Sequence, residues 1–363
     1  MAIFSCIAAF QTNLILVLAF ISSYFEPVTA FLDVIAPRNR HSMYLSRAHR
    51  VMNGSFSTKL RSSPHVDDVL PIEREFSKGK VRLSLYYRVH NPENMRRKGS
   101  DRQYKRPLVI LHGGPSLPSQ YLYSIVDNIP LDRSIVFYDQ IGCGRSSEPK
   151  NLEFYSIEKS VDDLECLLKK LDIEEFHLLG HSYGGVLAYE YASRIAMRRN
   201  DETMSGNIPP KCLSITLANT STNIEMGHKE WSRLENECAK DDSLPGKTTD
   251  EKFFQRNLCR LDKIPPELSS AFQHVGKVWF GTDVVSHWSA TPLVSHYRKY
   301  LPPFMLIIGE YDFVTEICTS PWKNILGEAL VKEEKMNDCS HYVHLEKPVL
   351  FGSMVDEFCC SNE

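Results

Sequence analysis

The run Gly180-His181-Ser182-Tyr183-Gly184 decides how this chain is read. It has the form G-x-S-x-G. An apolar strand-like run, Phe176-His177-Leu178-Leu179, precedes it, and a helix-like run starts at Gly184. A serine on a sharp strand-to-helix turn lifts its hydroxyl above the sheet edge, and glycines keep side chains out of the cramped turn. Five residues alone match by chance in many proteins. The strand before and the helix after give this match its weight.

Working outward, Pro107-Leu108-Val109-Ile110-Leu111 reads as a buried strand running into His112-Gly113-Gly114-Pro115-Ser116. A glycine pair at a strand's C-terminal end leaves backbone N–H groups facing a ligand. One of these, with the N–H after the nucleophile, binds the oxyanion of a tetrahedral intermediate. The expected donors are Gly114 and Tyr183. Farther on, the apolar strand Pro303–Gly309 ends in Glu310-Tyr311-Asp312, and Lys335–Ser340 leads into His341. The chain order Ser182, Asp312, His341 is that of an α/β-hydrolase. Ser182 needs His341 to remove its proton, and Asp312 orients and stabilises the imidazole. His344 and Asp338 are the rivals for base and orienter. His341 ranks above His344 because it directly follows a strand-like segment, and Asp312 above Asp338 because it stands at a separate strand end. His181 and His112 flank these loops and are read as holding loop backbone.

A third landmark, Asp139-Gln140-Ile141-Gly142-Cys143-Gly144-Arg145-Ser146, follows the strand Ile135–Tyr138. HGGPS, DQIGCGRS, GHSYGG, GEYDFVT and CSHYVHLE, in this order and spacing, resemble the proline iminopeptidases and the related tricorn-interacting aminopeptidase of the α/β-hydrolase superfamily. The resemblance spans roughly residues 70 to 358. It implies removal of an N-terminal residue from short peptides by a Ser/Asp/His triad with no cofactor and no metal. It also exposes departures. The glycine that ends HGGPG is Ser116 here, and the acidic residue that follows the triad aspartate in relatives is Phe313. A second family carboxylate, in the cap, is best matched by Asp283, with Glu225 and Glu230 as the next candidates to hold a substrate ammonium. A buried ammonium needs a charged or hydrogen-bonding partner. Phe313 therefore favours an apolar group and leaves room for an esterase or amidase acting on a small apolar substrate.

Strand-like runs at 81–89, 108–111, 135–138, 176–179, 213–217 and 305–308 alternate with helix-like segments, notably 157–171 and 186–197. That alternation predicts a mostly parallel sheet covered on both faces, with ligands at the C-terminal strand ends. Every motif above falls at such an end. The division expected is a hydrolase core at 66–220 and 301–363 with a helical cap at 221–300. The cap's amphipathic segments at 228–240, 250–260 and 266–274 carry Trp231, Phe253, Phe254, Phe272, Trp279, Phe280 and Trp288, candidates for an apolar pocket. No dinucleotide fingerprint, repeat or nucleic-acid signature appears.

Net charge is −3, but residues 1–65 carry Arg38, Arg40, Arg47, Arg50, Lys59 and Arg61 against only Glu26 and Asp33. Leu14–Ile21 is too short to span a bilayer and suits a signal-peptide core, with Val28-Thr29-Ala30 as cleavage site. Residues 1–30 are thus expected to be a signal peptide, and 31–65 a transit-like disordered leader. A signal peptide, then Phe31, then an Arg- and Ser-rich stretch resembles the bipartite leaders of secondary plastids, with secretion as the alternative. No stable membrane span is expected after leader removal. Ten cysteines lack framework spacing, and without Cys6 their number is odd, which suits a reducing compartment.

Overall fold

Eight strands form one sheet in the order β1-β2-β4-β3-β5-β6-β7-β8: β1 His65–Phe76, β2 Gly79–His90, β3 Leu108–Leu111, β4 Ile135–Tyr138, β5 Glu175–His181, β6 Lys211–Ala218, β7 Phe304–Gly309 and β8 Leu330–Met336. The structure is a computed structural model that describes residues 63–95, 105–199, 209–279 and 285–363. The leader to residue 62, Phe280 and Asp283 lie outside the described residues. β1 and β2 pair antiparallel, β2 meets β4 antiparallel, and all remaining pairs are parallel. β3 and β4 are buried at every position, as befits short apolar runs covered on both faces.

α1 (Ile157–Lys170) starts where the Ser156 side chain accepts the Lys159 N–H. It turns Ile157, Val161, Leu164 and Leu168 inward at helical spacing. α2 (Tyr183–Arg199) follows β5 directly and is buried along most of its length. Between β6 and β7 the described residues contain no strand. α3 (Ile224–Lys240), capped by Asn223, leads to a short helix, Thr249–Phe253, with a complete capping box. A π-helical turn, Phe254–Leu258, and α4 (Pro266–Gln273) complete this helical stretch. Trp231, Leu234, Phe253, Leu258 and Leu268 from this segment share one buried cluster with Tyr121, Ile307 and Tyr342. The helices between β6 and β7 therefore rest on loops at the C-terminal ends of the parallel strands. α5 (Pro348–Cys360) closes the described chain against the same cluster.

Two strands, β1 and β8, lie outside the strand-like runs 81–89 to 305–308. In β1 only alternate positions of the second half turn inward, and one of them is Arg74. Its guanidinium meets Asp163 of α1 inside the protein, so a charge stands where alternation would look for an apolar residue. β8, Leu-Val-Lys-Glu-Glu-Lys-Met, is an edge strand whose charges face solvent or sit half-buried. Ordered contacts reach back to Ser63, whose hydroxyl donates to Asn91 Oδ1 at 2.9 Å.

Burial holds the imidazoles of His90 and His228 down at about 4 and that of His344 at about 3. The unfolded chain then binds more protons than the folded one between those values and the ordinary 6.5. Stability is complete above about pH 6.5 and is lost as pH falls through the window, each histidine contributing up to about 1.4 kcal/mol per pH unit. Asp163, pushed up to about 6 by burial despite Arg74, acts in the opposite direction, as do Glu346 and Asp250, against a larger set of histidines that includes His112, His177 and His181. Urea midpoints measured at pH 7.5, 6 and 5 should fall steadily. A midpoint unchanged from pH 7.5 to 5 would contradict this account.

Candidate active site

The turn from β5 into α2 carries Ser182 at φ 55, in the left-handed region. The other described non-glycine residues at positive φ are all Asn or Asp, types that tolerate this conformation, so Ser182 stands alone as the strained one. Its neighbours explain how the turn closes. A Cβ on Gly180 would lie 2.4 Å from the Gly184 carbonyl oxygen, and one on Gly184 would lie 2.1 Å from the Leu111 carbonyl oxygen. The backbone of β3 and that of the elbow touch directly. Ser182 is anchored by its own N–H, which donates to the Ala218 carbonyl at 2.8 Å.

Directly alongside stands the loop after β3. A Cβ on Gly113 would lie 2.9 Å from Ser182 Cβ. The Gly113 N–H donates to the Tyr121 hydroxyl at 2.8 Å, and Gly114, the next residue, turns at φ 120. Tyr183 is the first residue of α2, where N–H groups have no acceptor within the helix. Gly114 and Tyr183 are the residues whose amides the motifs nominate, and the helix N-terminus places partial positive charge beside Ser182.

His341 lies just beyond β8, and its Nδ1–H donates to Asp312 Oδ1 at 2.9 Å. Its other nitrogen, Nε2, therefore carries the lone pair. Asp312 is buried and also accepts the Val314 N–H at 2.9 Å. The loop holding His341 is pinned from several sides. The Ser340 carbonyl accepts from Asn219 Nδ2 at 2.9 Å, Ser340 donates through both N–H and hydroxyl to Glu346, and the His341 carbonyl accepts from His181 Nε2 at 2.8 Å. The rings of His181 and His341 are 4.9 Å apart, which sets His341 beside the residue preceding Ser182. The π-helical turn braces both loops: Asn257 Nδ2 donates to the Tyr311 carbonyl at 2.8 Å, and the Tyr342 N–H donates to the Leu258 carbonyl at 3.1 Å.

The rivals fall away on position. His344 is fully buried and donates from Nε2 to the Tyr121 carbonyl at 3.2 Å. Asp338 is exposed, its N–H held by Glu310. His112 is buried, its Nδ1–H on the Gly113 carbonyl and its Nε2 accepting the Gln140 N–H, and so it holds loop backbone as expected. Asn219, within a glycosylation triplet, is completely buried.

The substrate-binding candidates separate clearly. Phe313 lies with its ring 4.5 Å from that of His341 and 4.8 Å from Trp231, which in turn meets Phe253 at 4.5 Å. An aromatic wall thus runs from the helices between β6 and β7 to His341. Glu225 faces solvent in an ion pair with Lys229, so the structure does not bring it to the site. Glu230 does reach the triad loop, where its Oε2 accepts the Thr315 hydroxyl at 2.7 Å. It is also held bidentately by Arg233, through Nε at 2.9 Å and Nη2 at 2.8 Å, and that guanidinium keeps its carboxyl below the usual range. Arg233 also pairs with Glu237 through Nη1 at 2.5 Å, so one guanidinium is shared by two carboxylates and offsets the Glu230 charge only in part. Trp279 packs against Tyr155 at 4.8 Å and Tyr183 at 6.5 Å. Among the described residues no cluster of His, Cys, Asp or Glu is arranged to hold a metal ion.

Residues 106–348 match the family described as the alpha/beta hydrolase fold. The proline iminopeptidase of Saccharolobus solfataricus is 29% identical over 292 residues, covering 76% of this chain and 89% of that protein. That of Thermoplasma volcanium is 26% identical, covering 64% and 79%. Among solved structures, the proline iminopeptidase of Mycobacterium smegmatis superposes with a TM-score of 0.60 at 21% identity, over 81% of this chain and 98% of that one. VinJ does so with a TM-score of 0.59 at 22% identity, over 81% and 99%. The chain belongs to the α/β-hydrolase fold family, as a proline iminopeptidase-like member.

Proposed function

We propose that the protein is a serine hydrolase that releases the N-terminal residue from short peptides through an acyl-enzyme. The observation that carries this reading is the Asp312–His341 hydrogen bond set beside a strained Ser182 elbow, with the Tyr183 and Gly114 amides next to it. Ser182 Oγ attacks the scissile carbonyl carbon while His341 Nε2 takes its proton. Asp312 stabilises the imidazolium, and the two amides hold the oxyanion. Collapse breaks the C–N bond, and the proton on His341 goes to the departing amine. Water, deprotonated by the same nitrogen, then cleaves the acyl ester and restores Ser182. The names of the curated relatives support the peptidase assignment.

Turnover should vanish in Ser182→Ala and drop by about 10³-fold or more in His341→Ala and Asp312→Asn, with losses that do not add because the three act together. Aminoacyl-arylamide and acyl-ester assays on purified full-length variants, each checked for folding by circular dichroism, test this. Full activity in Ser182→Ala would remove the nucleophile assignment.

Phe313 favours a second reading, a serine esterase or amidase acting on a small apolar substrate. An aromatic ring stands over the base, and Glu230 is already engaged by Arg233 and Thr315, so neither group is left open to a substrate ammonium. Phe313→Glu should raise kcat/KM for Pro- or Ala-arylamides by about 10-fold or more while leaving simple esters within a small factor. Asp283→Asn should lower the arylamide activity alone. If native enzyme already strongly prefers free-amine substrates and neither change moves that preference, the amine is anchored elsewhere.

We further propose that the basic leader directs the protein through the secretory pathway to a plastid. A fluorescent fusion of residues 1–65 should accumulate in that organelle, and outright secretion of the fusion would reject the proposal.

A further inference from the structure

Beneath the site lies a set of buried polar groups that the chemical steps do not use. The Gly113 N–H donates to the Tyr121 hydroxyl at 2.8 Å, and that hydroxyl lies 2.8 Å from His181 Nδ1. His181 Nε2 lies 2.8 Å from the His341 carbonyl oxygen. A carbonyl can only accept, so Nε2 carries the proton. Burial holds the His181 imidazole well below its ordinary pKa, so the ring is neutral and its Nδ1 presents a lone pair. The tyrosine hydroxyl must then donate to Nδ1, which leaves its oxygen to accept from Gly113. Every hydrogen in the chain has one direction: Gly113 N–H to Tyr121, Tyr121 O–H to His181, and His181 Nε2–H to His341.

The three ends of this chain belong to the three parts of the site. Gly113 lies against Ser182 Cβ and precedes the Gly114 donor, His181 precedes Ser182, and the His341 carbonyl belongs to the base itself. We propose that Tyr121 and His181 are positioning residues that set the oxyanion loop, the nucleophile elbow and the base loop at their working separation. The proposal rests on the reading of Ser182 as nucleophile and His341 as base. Tyr121 is itself fixed. Its carbonyl accepts from His344, and its ring packs edge-on to Tyr342 at 5.7 Å and against His344 at 5.6 Å. His344 thereby gains a role, orienting the tyrosine from the far side. Neutral groups suit this task, since a charge directly beneath Ser182 and His341 would disturb the proton transfer they perform.

The test uses the full chain. Tyr121→Phe removes one oxygen and keeps the ring packing. Misplacing reacting groups by a fraction of an ångström lowers kcat without weakening ground-state binding, so kcat should fall about 10- to 100-fold with KM within about twofold of the parent. Fluorophosphonate labelling of Ser182 should slow by the same factor. His181→Gln keeps an amide N–H for the His341 carbonyl but has no acceptor at the Nδ1 position for Tyr121, and should show a similar loss. The double variant should be no slower than the slower single, because both changes break one chain. Should Tyr121→Phe fail to fold, His181→Gln carries the test. Unchanged kcat per labelled site in the folded variants overturns the proposal. Nitrogen NMR of labelled histidines supplies a readout independent of activity, with a proton on His181 Nε2, none on Nδ1, and a displaced Nδ1 resonance in Tyr121→Phe. A proton on Nδ1 at neutral pH overturns the network whatever the activity. The expected tautomer in a protein whose Ser182 neither labels nor matters for turnover would instead sink the serine reading and leave the network standing.

Discussion

One backbone constraint organises this molecule: a non-glycine residue held at φ 55 between the end of β5 and the start of α2. Left to itself, an L-residue in that conformation is disfavoured by roughly 1–2 kcal/mol. The strain persists because the surroundings permit no alternative. The elbow backbone closes on itself at Gly180 and touches that of β3 through Gly184, and the Ser182 N–H is committed to Ala218 of β6. Two neighbouring parallel strands thus clamp the turn, and the clamp exists because β3, β5 and β6 lie side by side. The same arrangement delivers Asp312 and His341, since β7 and β8 continue the sheet in order and release their loops at the same end.

The parts of this plan that a reader of the sequence can see are those with a steep local requirement. An elbow needs glycines at fixed offsets, an oxyanion loop needs a glycine pair after an apolar strand, and buried parallel strands need unbroken apolar runs. Edge strands escape because nothing forces such a pattern on them. β1 hides Arg74 at a core-facing position with its partner Asp163 far along the chain, and β8 is charged because its outer side faces water. Helices over the site were visible as amphipathic segments, but the π-turn that braces two catalytic loops leaves no compositional mark. Tyr121 looks like any aromatic core residue until its hydroxyl is found beside His181, 60 positions away. Among the carboxylates considered for the substrate amine, membership of one helix carries no information on side-chain facing. Glu225 and Glu230 occupy one helix, yet one meets solvent and the other the triad loop.

What distinguishes this site electrostatically is how little free charge surrounds the triad. Glu230 is tied up by Arg233 and Thr315, with Glu237 sharing the same guanidinium, and Phe313 covers His341 where relatives of the resembled family place an acid. His181 and His344 are kept neutral by burial. Asp312 is the described carboxylate in direct contact with His341, at hydrogen-bond distance. Under the proposed serine mechanism that buried carboxylate is the group that stabilises the imidazolium when the proton arrives from Ser182.

The two layers around the triad consequently do different physical work. Below it, directional hydrogen bonds among neutral groups fix distances, a role that tolerates little change in shape because each donor has one acceptor. Above it, Trp231, Phe253 and Phe313 form a wall held by packing, in which volume and polarity can vary without breaking any hydrogen bond beneath. Departures from the resembled family are therefore affordable above the base, and the residue after Asp312 is where one occurs. Phe313 alters what the base faces while the loop beneath it keeps its hydrogen bonds to His181, Asn219 and Glu346. Substrate preference can shift on this scaffold without the catalytic geometry shifting with it, because the two are built from different interactions on opposite sides of one imidazole.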